Sequence, residues 1–109
     1  ITDSGLGSFL AVLKLFGKQE SFMSFPMEGY TLALDFPISN AALALFKELD
    51  AVVAGYGGRL YLAKDSRMDA QMFEKTYPNA AEFKQAVATL NEGKTRFASL
   101  QSQRLGITD

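Results

Sequence analysis

The hydrophobic periodicity of the chain changes at Pro37 from two residues to about 3.6 residues, which limits the folds open to it. Residues 30–36 (YTLALDF) alternate as a strand does, with one face predicted to be core: Tyr30, Leu32, Leu34 and Phe36. After Pro37, Ser39 or Asn40 can cap a helix that begins near Ala41. An apolar stripe of helical spacing follows, made of Ala42, Leu45, Phe46, Leu49, Val52, Val53 and Tyr56. The pattern predicts an amphipathic helix lying on a sheet.

Two further segments are predicted to be strands. Residues 8–16 (SFLAVLKLF) are almost continuously apolar and are followed by Gly17, which is typical of a strand buried on both faces. Residues 59–63 come directly after the glycines at 55, 57 and 58 that end the helix. Strand, helix and strand in close succession predict an α+β or α/β unit.

The chain becomes helical beyond Asp65. Residues 69–77 predict a short helix that Pro78 breaks. Asn79 and Glu82 resemble a capping box, which predicts a second helix with Phe83, Val87 and Leu90 as its apolar stripe. A last helical turn or two is expected over residues 99–105.

Composition excludes several classes of chemistry. The 109 residues contain no cysteine and no histidine, so thiolate nucleophiles, disulfides and the commonest metal ligand and general base are missing. A formal net charge of −1, with acidic and basic residues interspersed, argues against a nucleic-acid surface. We find no phosphate-binding glycine motif, no pattern predicting a metal site, and no apolar run long enough to span a bilayer. The chain opens at Ile1 rather than at methionine, from which we expect a piece of a longer protein.

Four consecutive polar residues, Lys64 to Arg67 (KDSR), form a polar cluster directly after the third predicted strand. From the pattern alone, Lys64 is more readily an exposed strand-end lysine, paired with Asp65 or closing the sheet edge, than a lysine in a reaction site. Tyr61, on the face opposite Leu60 and Leu62, is typical of a half-buried strand tyrosine. Lys14 interrupts an apolar strand and by default is an edge lysine. A second lysine at the end of a strand nevertheless makes an anion or cofactor site worth testing.

Five stretches of the chain together carry a resemblance to a known family. They are FLAVLKLFG (9–17), SFPMEGYTLALDFPI (24–38), GGRLYLAKDSRM (57–68), MFEKTYPN (72–79) and, more weakly, RFASLQSQRL (96–105). Their order and spacing resemble the C-terminal part of bacterial FAD-linked oxidases of the vanillyl-alcohol oxidase type. The resemblance implies an α+β fold, in which an antiparallel sheet portion with a packed amphipathic helix, the remnant of a ferredoxin-like substrate domain, precedes a helical C-terminal segment.

The resemblance also implies roles for particular residues. Lys64 matches the family lysine beside flavin and substrate, and is the expected catalytic residue as well as a cofactor contact. Tyr61 matches a tyrosine of the same flavin-proximal strand. The residues expected to line the substrate pocket are Lys14, Phe16, Thr31 and Ala33. Thr31 and Ala33 stand where similar bacterial members have asparagine and cysteine, so the resemblance does not define which substrate is bound.

On this basis residues 1–58 are expected to end a substrate-binding domain, and residues 59–109 to return to an N-terminal FAD-binding domain of the same protein. The whole protein would use FAD to oxidise a sugar or other secondary alcohol in the bacterial cytoplasm. The 109 residues alone would neither hold FAD nor be active, and their open strand edges favour self-association. Composition and periodicity by themselves slightly favour an alternative, a non-catalytic α+β ligand-binding or dimerisation module.

Overall fold

A computed structural model of the chain describes residues 1–94 and 96–109. It has an α+β fold in which a two-stranded antiparallel sheet precedes four α-helices. A 3₁₀ turn, Thr2–Ser4, comes before the sheet, and a second one, Leu62–Lys64, lies between the first two helices. The strands and α-helices are β1 (Leu10–Phe16), β2 (Gly29–Asp35), α1 (Asn40–Gly55), α2 (Ala70–Thr76), α3 (Ala80–Asn91) and α4 (Leu100–Arg104).

The two strands form a hairpin whose register runs from Leu10 opposite Asp35 to Phe16 opposite Gly29. The expectation that residues 8–16 are buried on both faces is wrong, since every residue of β1 before Phe16 is exposed. The predicted core face of β2 is only partly buried: Leu34 and Phe36 are half-buried, whereas Tyr30 and Leu32 are exposed. Within the described residues the sheet has two strands, and a hairpin of two strands buries little apolar surface by itself.

Helix α1 begins and ends where its sequence predicts. The Ser39 side chain accepts a hydrogen bond from the Ala42 N–H at 3.1 Å, which satisfies one free donor of the first turn. After Gly55 the chain reverses through Gly57, whose φ of +72° favours glycine. The sequence predicted that this helix would lie on the sheet, but it packs mainly against α2. Its stripe touches the end of the hairpin where Phe46 meets Phe36, with ring centroids 5.5 Å apart.

The hydrophobic core lies in the C-terminal half of the chain. Its buried members come from the segment before α2, from α2 and α3, and from the residues that directly follow α2 and α4: Met68, Phe73, Tyr77, Ala80 and Leu105. The radius of gyration is 15.5 Å, against about 13 Å for a compact domain of this length. The helical half therefore has its own core, and the hairpin adds length and exposed apolar surface to it.

The prediction of a strand over residues 59–63 is wrong. The segment is extended and then enters the 3₁₀ turn, and side chains occupy two of its carbonyls. The Tyr77 hydroxyl donates to the Leu60 carbonyl, and Gln101 Nε2 donates to the Leu62 carbonyl at 2.6 Å. The periodicity of the segment does suit a strand, but the described residues provide no neighbouring strand to pair with it.

The three later helices lie where they were expected. Asp69 caps α2, with its carboxylate accepting from the Met72 N–H at 2.8 Å, and Ser99 caps α4 in a reciprocal capping box with Ser102. The capping box predicted at Asn79 is wrong, because that side chain makes no cap hydrogen bond. Its Nδ2 donates instead to the Phe22 carbonyl at 2.9 Å, which joins α3 to the loop between the two strands.

Candidate functional site

The four residues expected to line a substrate pocket share one face of the hairpin. Lys14 lies directly opposite Thr31, and Val12 lies opposite Ala33. Since side chains alternate along a strand, Lys14 and Phe16 project from the same face as their cross-strand neighbours Thr31 and Ala33. An ammonium and a hydroxyl therefore stand side by side on this face, with a phenyl ring next to them at one end. Lys14 is exposed, and Thr31 and Phe16 are half-buried.

Phe25 joins that face to the predicted flavin-side residue Tyr61. Its ring meets Phe16 edge-on, with centroids 6.4 Å apart, and meets Tyr61 at 4.9 Å in a tilted arrangement. We call Phe16, Phe25 and Tyr61 the aromatic wall. It brings together residues 45 positions apart in the chain, and Tyr61 keeps 48% of its surface exposed. Phe25 received no role from the sequence, although it stands in the SFP motif that carried part of the resemblance.

Lys64 lies at the end of the 3₁₀ turn, three residues after Tyr61, and its side chain is exposed. Its backbone N–H donates to the Tyr61 carbonyl at 3.2 Å, so the same turn fixes both backbones. The pairing with Asp65 that the local pattern allowed does not form. Within the described part of the chain, the Lys64 ammonium belongs to no ion pair.

Asp65 instead stabilises the backbone of this segment. Its carboxylate accepts hydrogen bonds from the N–H groups of Arg67 and Met68, at 3.1 and 2.9 Å, and from the Arg104 guanidinium at 2.9 Å. Only 5% of its side-chain surface is exposed. Arg104 also donates to the Met68 carbonyl at 3.1 Å. This network fixes the chain directly after Lys64 to α4.

Arg67 anchors the same segment to α1. Its guanidinium forms a two-point ion pair with Asp50, with Nη2 to Oδ1 at 2.7 Å, and lies 5.0 Å from the ring centroid of Phe46. The hydrogen bond to Asp50 is the main reason that the pKa of Arg67 is raised, against the lowering effect of burial. The residues of the polar cluster therefore have two different roles. Asp65 and Arg67 stabilise the fold, whereas Lys64 is exposed.

Arg59 and Tyr77 bind the backbone next to two members of the aromatic wall, at Ser24 and Leu60. Arg59 Nη1 donates to the Ser24 carbonyl, and its guanidinium lies 5.4 Å from the Tyr77 ring centroid. Burial raises the pKa of the Tyr77 hydroxyl to about 12, because ionisation would place a charge in the core. Sequence reasoning missed Arg59, although an arginine at the start of an apolar segment is an available signal for a buried or paired side chain.

The arrangement can bind and orient a molecule, but these side-chain types do not themselves accept a hydride, which is the work of a cofactor. Lys14 and Thr31 can hold an oxygen-bearing group, the aromatic wall can pack against apolar surface, and Lys64 adds a positive charge near Tyr61. Among the described residues no cluster of three or more acidic side chains could hold a metal ion. No helix in that part of the chain is both long and apolar enough to cross a bilayer.

No family model matches the chain, but comparison with known proteins finds partial relatives, two of which are informative. The chain is 45% identical over 84 residues to "Decaprenylphosphoryl-beta-D-ribose oxidase" of Mycolicibacterium smegmatis, an alignment that covers 76% of this chain and 18% of that protein. It is 35% identical over 109 residues to an uncharacterized Streptomyces coelicolor protein encoded in the mprA 5′ region, covering 98% of this chain and 29% of that protein. The chain therefore spans less than a third of either relative, and it is homologous to part of a bacterial oxidase.

Proposed function

We propose that the chain is the C-terminal portion of an FAD-dependent oxidoreductase that oxidises a sugar or other secondary alcohol by hydride transfer to flavin. The observation that carries the proposal is the joining of two groups of residues by Phe25. One group is the polar hairpin face with Lys14 and Thr31, and the other is the turn that bears Tyr61 and Lys64. The similarity to an oxidase over 84 residues supports it independently.

In this proposal residues 1–58 end a substrate-binding domain and residues 59–109 return to an N-terminal FAD-binding domain. Two features support the division. The core lies in the helical half, and the hairpin leaves large apolar side chains uncovered, including Phe9 at 76% and Leu15 at 69% exposure. Monomeric proteins seldom leave apolar surface of this extent open to water. The rest of the protein would cover it and would hold most of the FAD.

Each residue then has a defined task. The chemistry that FAD would supply, if bound, is acceptance of a hydride from the alcohol carbon. The residues that would contact FAD are Tyr61, whose half-exposed ring suits packing against a planar ring system, and Lys64, whose ammonium is available on the same turn. Lys64 would stabilise negative charge on the reacting groups in a site that excludes water. Lys14, Phe16, Thr31 and Ala33 would bind and orient the substrate.

The test uses the complete protein. Lys64→Ala should slow anaerobic reduction of the flavin by an alcohol substrate about 100-fold, as expected when one charge-stabilising donor is lost. Lys18→Ala is the matched control, since Lys18 is an exposed lysine that forms an equally exposed ion pair with Glu20. Reduction of the Lys64→Ala protein at nearly the wild-type rate would refute the role of Lys64.

A non-catalytic ligand-binding or dimerisation module is the second candidate, and the uncovered hairpin is the observation that favours it. The reading frame upstream of Ile1 distinguishes the two candidates. A glycine-rich FAD-binding region encoded there in frame supports the oxidoreductase. A start codon adjacent to Ile1 supports the module.

A further inference from the structure

The loop between β1 and β2, residues 17–28, places Phe25 between two residues of the candidate site. Phe25 is half-buried and contacts Phe16 on one side and Tyr61 on the other. This one ring therefore joins Phe16 to Tyr61 in the aromatic wall.

Side chains from the C-terminal half hold the loop by its backbone. Arg59 donates to the Ser24 carbonyl, directly before Phe25, and Asn79 donates to the Phe22 carbonyl at 2.9 Å. The Ser24 hydroxyl donates to the Pro26 carbonyl at 2.7 Å, which closes a tight turn around Phe25. The backbone on both sides of the ring is thus fixed.

The surroundings of Arg59 indicate more than general stabilisation. Its Nε atom is buried without a hydrogen-bond partner among the described residues, and such orphaned donors are uncommon in folded proteins. A methionine, whose side chain follows that of arginine about as far as Nε, would avoid the desolvation cost of this donor. What an apolar side chain could not supply is the hydrogen bond to the Ser24 carbonyl.

We propose that Arg59 is a positioning residue that holds Phe25 in the aromatic wall, and that Phe25 determines how bulky a substrate fits against Lys14 and Thr31. The substrate would present an apolar face to the wall and an oxygen-bearing edge to the lysine and threonine. The substrate part of this inference rests on the proposed function. The positioning of Phe25 by Arg59 does not.

Tryptophan fluorescence tests the positioning in the 109-residue chain, which contains no tryptophan. In a Phe25→Trp background, Arg59→Met should shift the emission to the red and raise acrylamide quenching, whereas Arg59→Lys, which keeps a donor, should shift it less. Lys18→Ala, in the same loop, is the control and should leave the emission unchanged. Unchanged emission and quenching in Arg59→Met, with its helical circular dichroism intact, would overturn the proposal.

Steady-state kinetics of the complete enzyme tests the substrate wall. Phe25→Leu and Arg59→Met should each raise KM about fivefold, the loss expected for one well-placed aromatic contact, with kcat changed less than about twofold. Arg59→Lys, which keeps a hydrogen-bond donor, should have a KM close to that of the wild-type enzyme. An unchanged KM in Phe25→Leu, or a fall in kcat alone, would refute the proposed role of Phe25 in substrate binding. Because Phe25→Leu leaves Arg59 in place, it still tests the role of Phe25 in substrate binding if Arg59→Met fails to fold. Absence of flavin reduction in the wild-type protein would refute the proposed function, and the emission experiment would still decide the positioning.

Discussion

The carboxylate of Asp65 and the guanidinium of Arg104 meet at 2.9 Å across 39 positions of sequence. With 5% and 26% of their side-chain surfaces exposed, they form a partly desolvated ion pair that ties the segment after Lys64 to the last helix. The neighbouring lysine is left outside this pair. Asp65 and Arg104 therefore fix the backbone next to Lys64, and Lys64 itself is left available for the role that we propose.

Asp65→Asn should lower the free energy of unfolding by about 2 kcal/mol. The substitution removes the negative charge and leaves Arg104 partly buried without a counterion. Urea denaturation followed by circular dichroism measures the change. Glu20→Gln, in an ion pair whose side chains are 79% and 83% exposed, should change it by less than about 0.5 kcal/mol. Equal stability of Asp65→Asn and wild type would refute a structural role for the pair.

Arg67→Lys should destabilise the chain by about 1 kcal/mol, although the charge is kept. Lysine cannot reproduce the two parallel hydrogen bonds to Asp50, and it loses the planar contact with Phe46. A double-mutant cycle with Asp50→Asn separates the pair from the ring contact. The exposed Arg96, paired with Glu92 at 3.0 Å, is the matched control, and Arg96→Lys should have almost no effect.

Stability should fall at high pH through Tyr77. Its folded-state pKa of about 12 lies above the ordinary 10.0, so the folded state keeps this proton where the unfolded state loses it. The contribution is fully present below the unfolded value and is lost as pH rises toward the folded value, on the order of 3 kcal/mol in total. Urea midpoints measured from neutral to strongly alkaline pH test this against Tyr77→Phe. A parallel decline in both proteins would assign the loss to other groups.

The isolated 109-residue chain should self-associate. Leu13 and Leu32 lie opposite each other on the hairpin, with 64% and 57% of their surfaces exposed, and both strands have an unpaired edge within the described residues. Light scattering should give an average mass that rises with concentration, and Leu13→Lys should lower that mass by adding a charge to the apolar face. A monomer at all concentrations would contradict the prediction.

Local signals in the sequence predicted much of the fold. Ser39 caps α1 as expected, because capping depends on residues only three positions apart. Helices α2 and α4 also begin at the expected places, directly after Asp69 and Ser99. Burial was harder to predict. The apolar pattern of β1 shows that the strand is suited to being covered, but the covering surface has to come from elsewhere, and here the strand is exposed.

The candidate site was predictable in its parts and not in its assembly. Alternation along β2 separated Thr31 and Ala33 from the apolar face, and the resemblance named Lys14, Phe16, Tyr61 and Lys64. Nothing local to Phe25 indicated that its ring would bridge Phe16 and Tyr61. That contact depends on hydrogen bonds from Arg59 and Asn79, which are 35 and 57 positions away from the carbonyls they reach.

The segment from Arg59 to Met68 is held at separate points by the side chains of Tyr77, Gln101 and Arg104. A strand paired through its backbone would accept almost any outward-facing residue without moving. A segment held by particular side chains moves when one of them changes. Substitutions of the residues that hold this segment can therefore shift Tyr61 and Lys64 by small steps, which gives evolution a means of adjusting the proposed reaction site without altering its own residues.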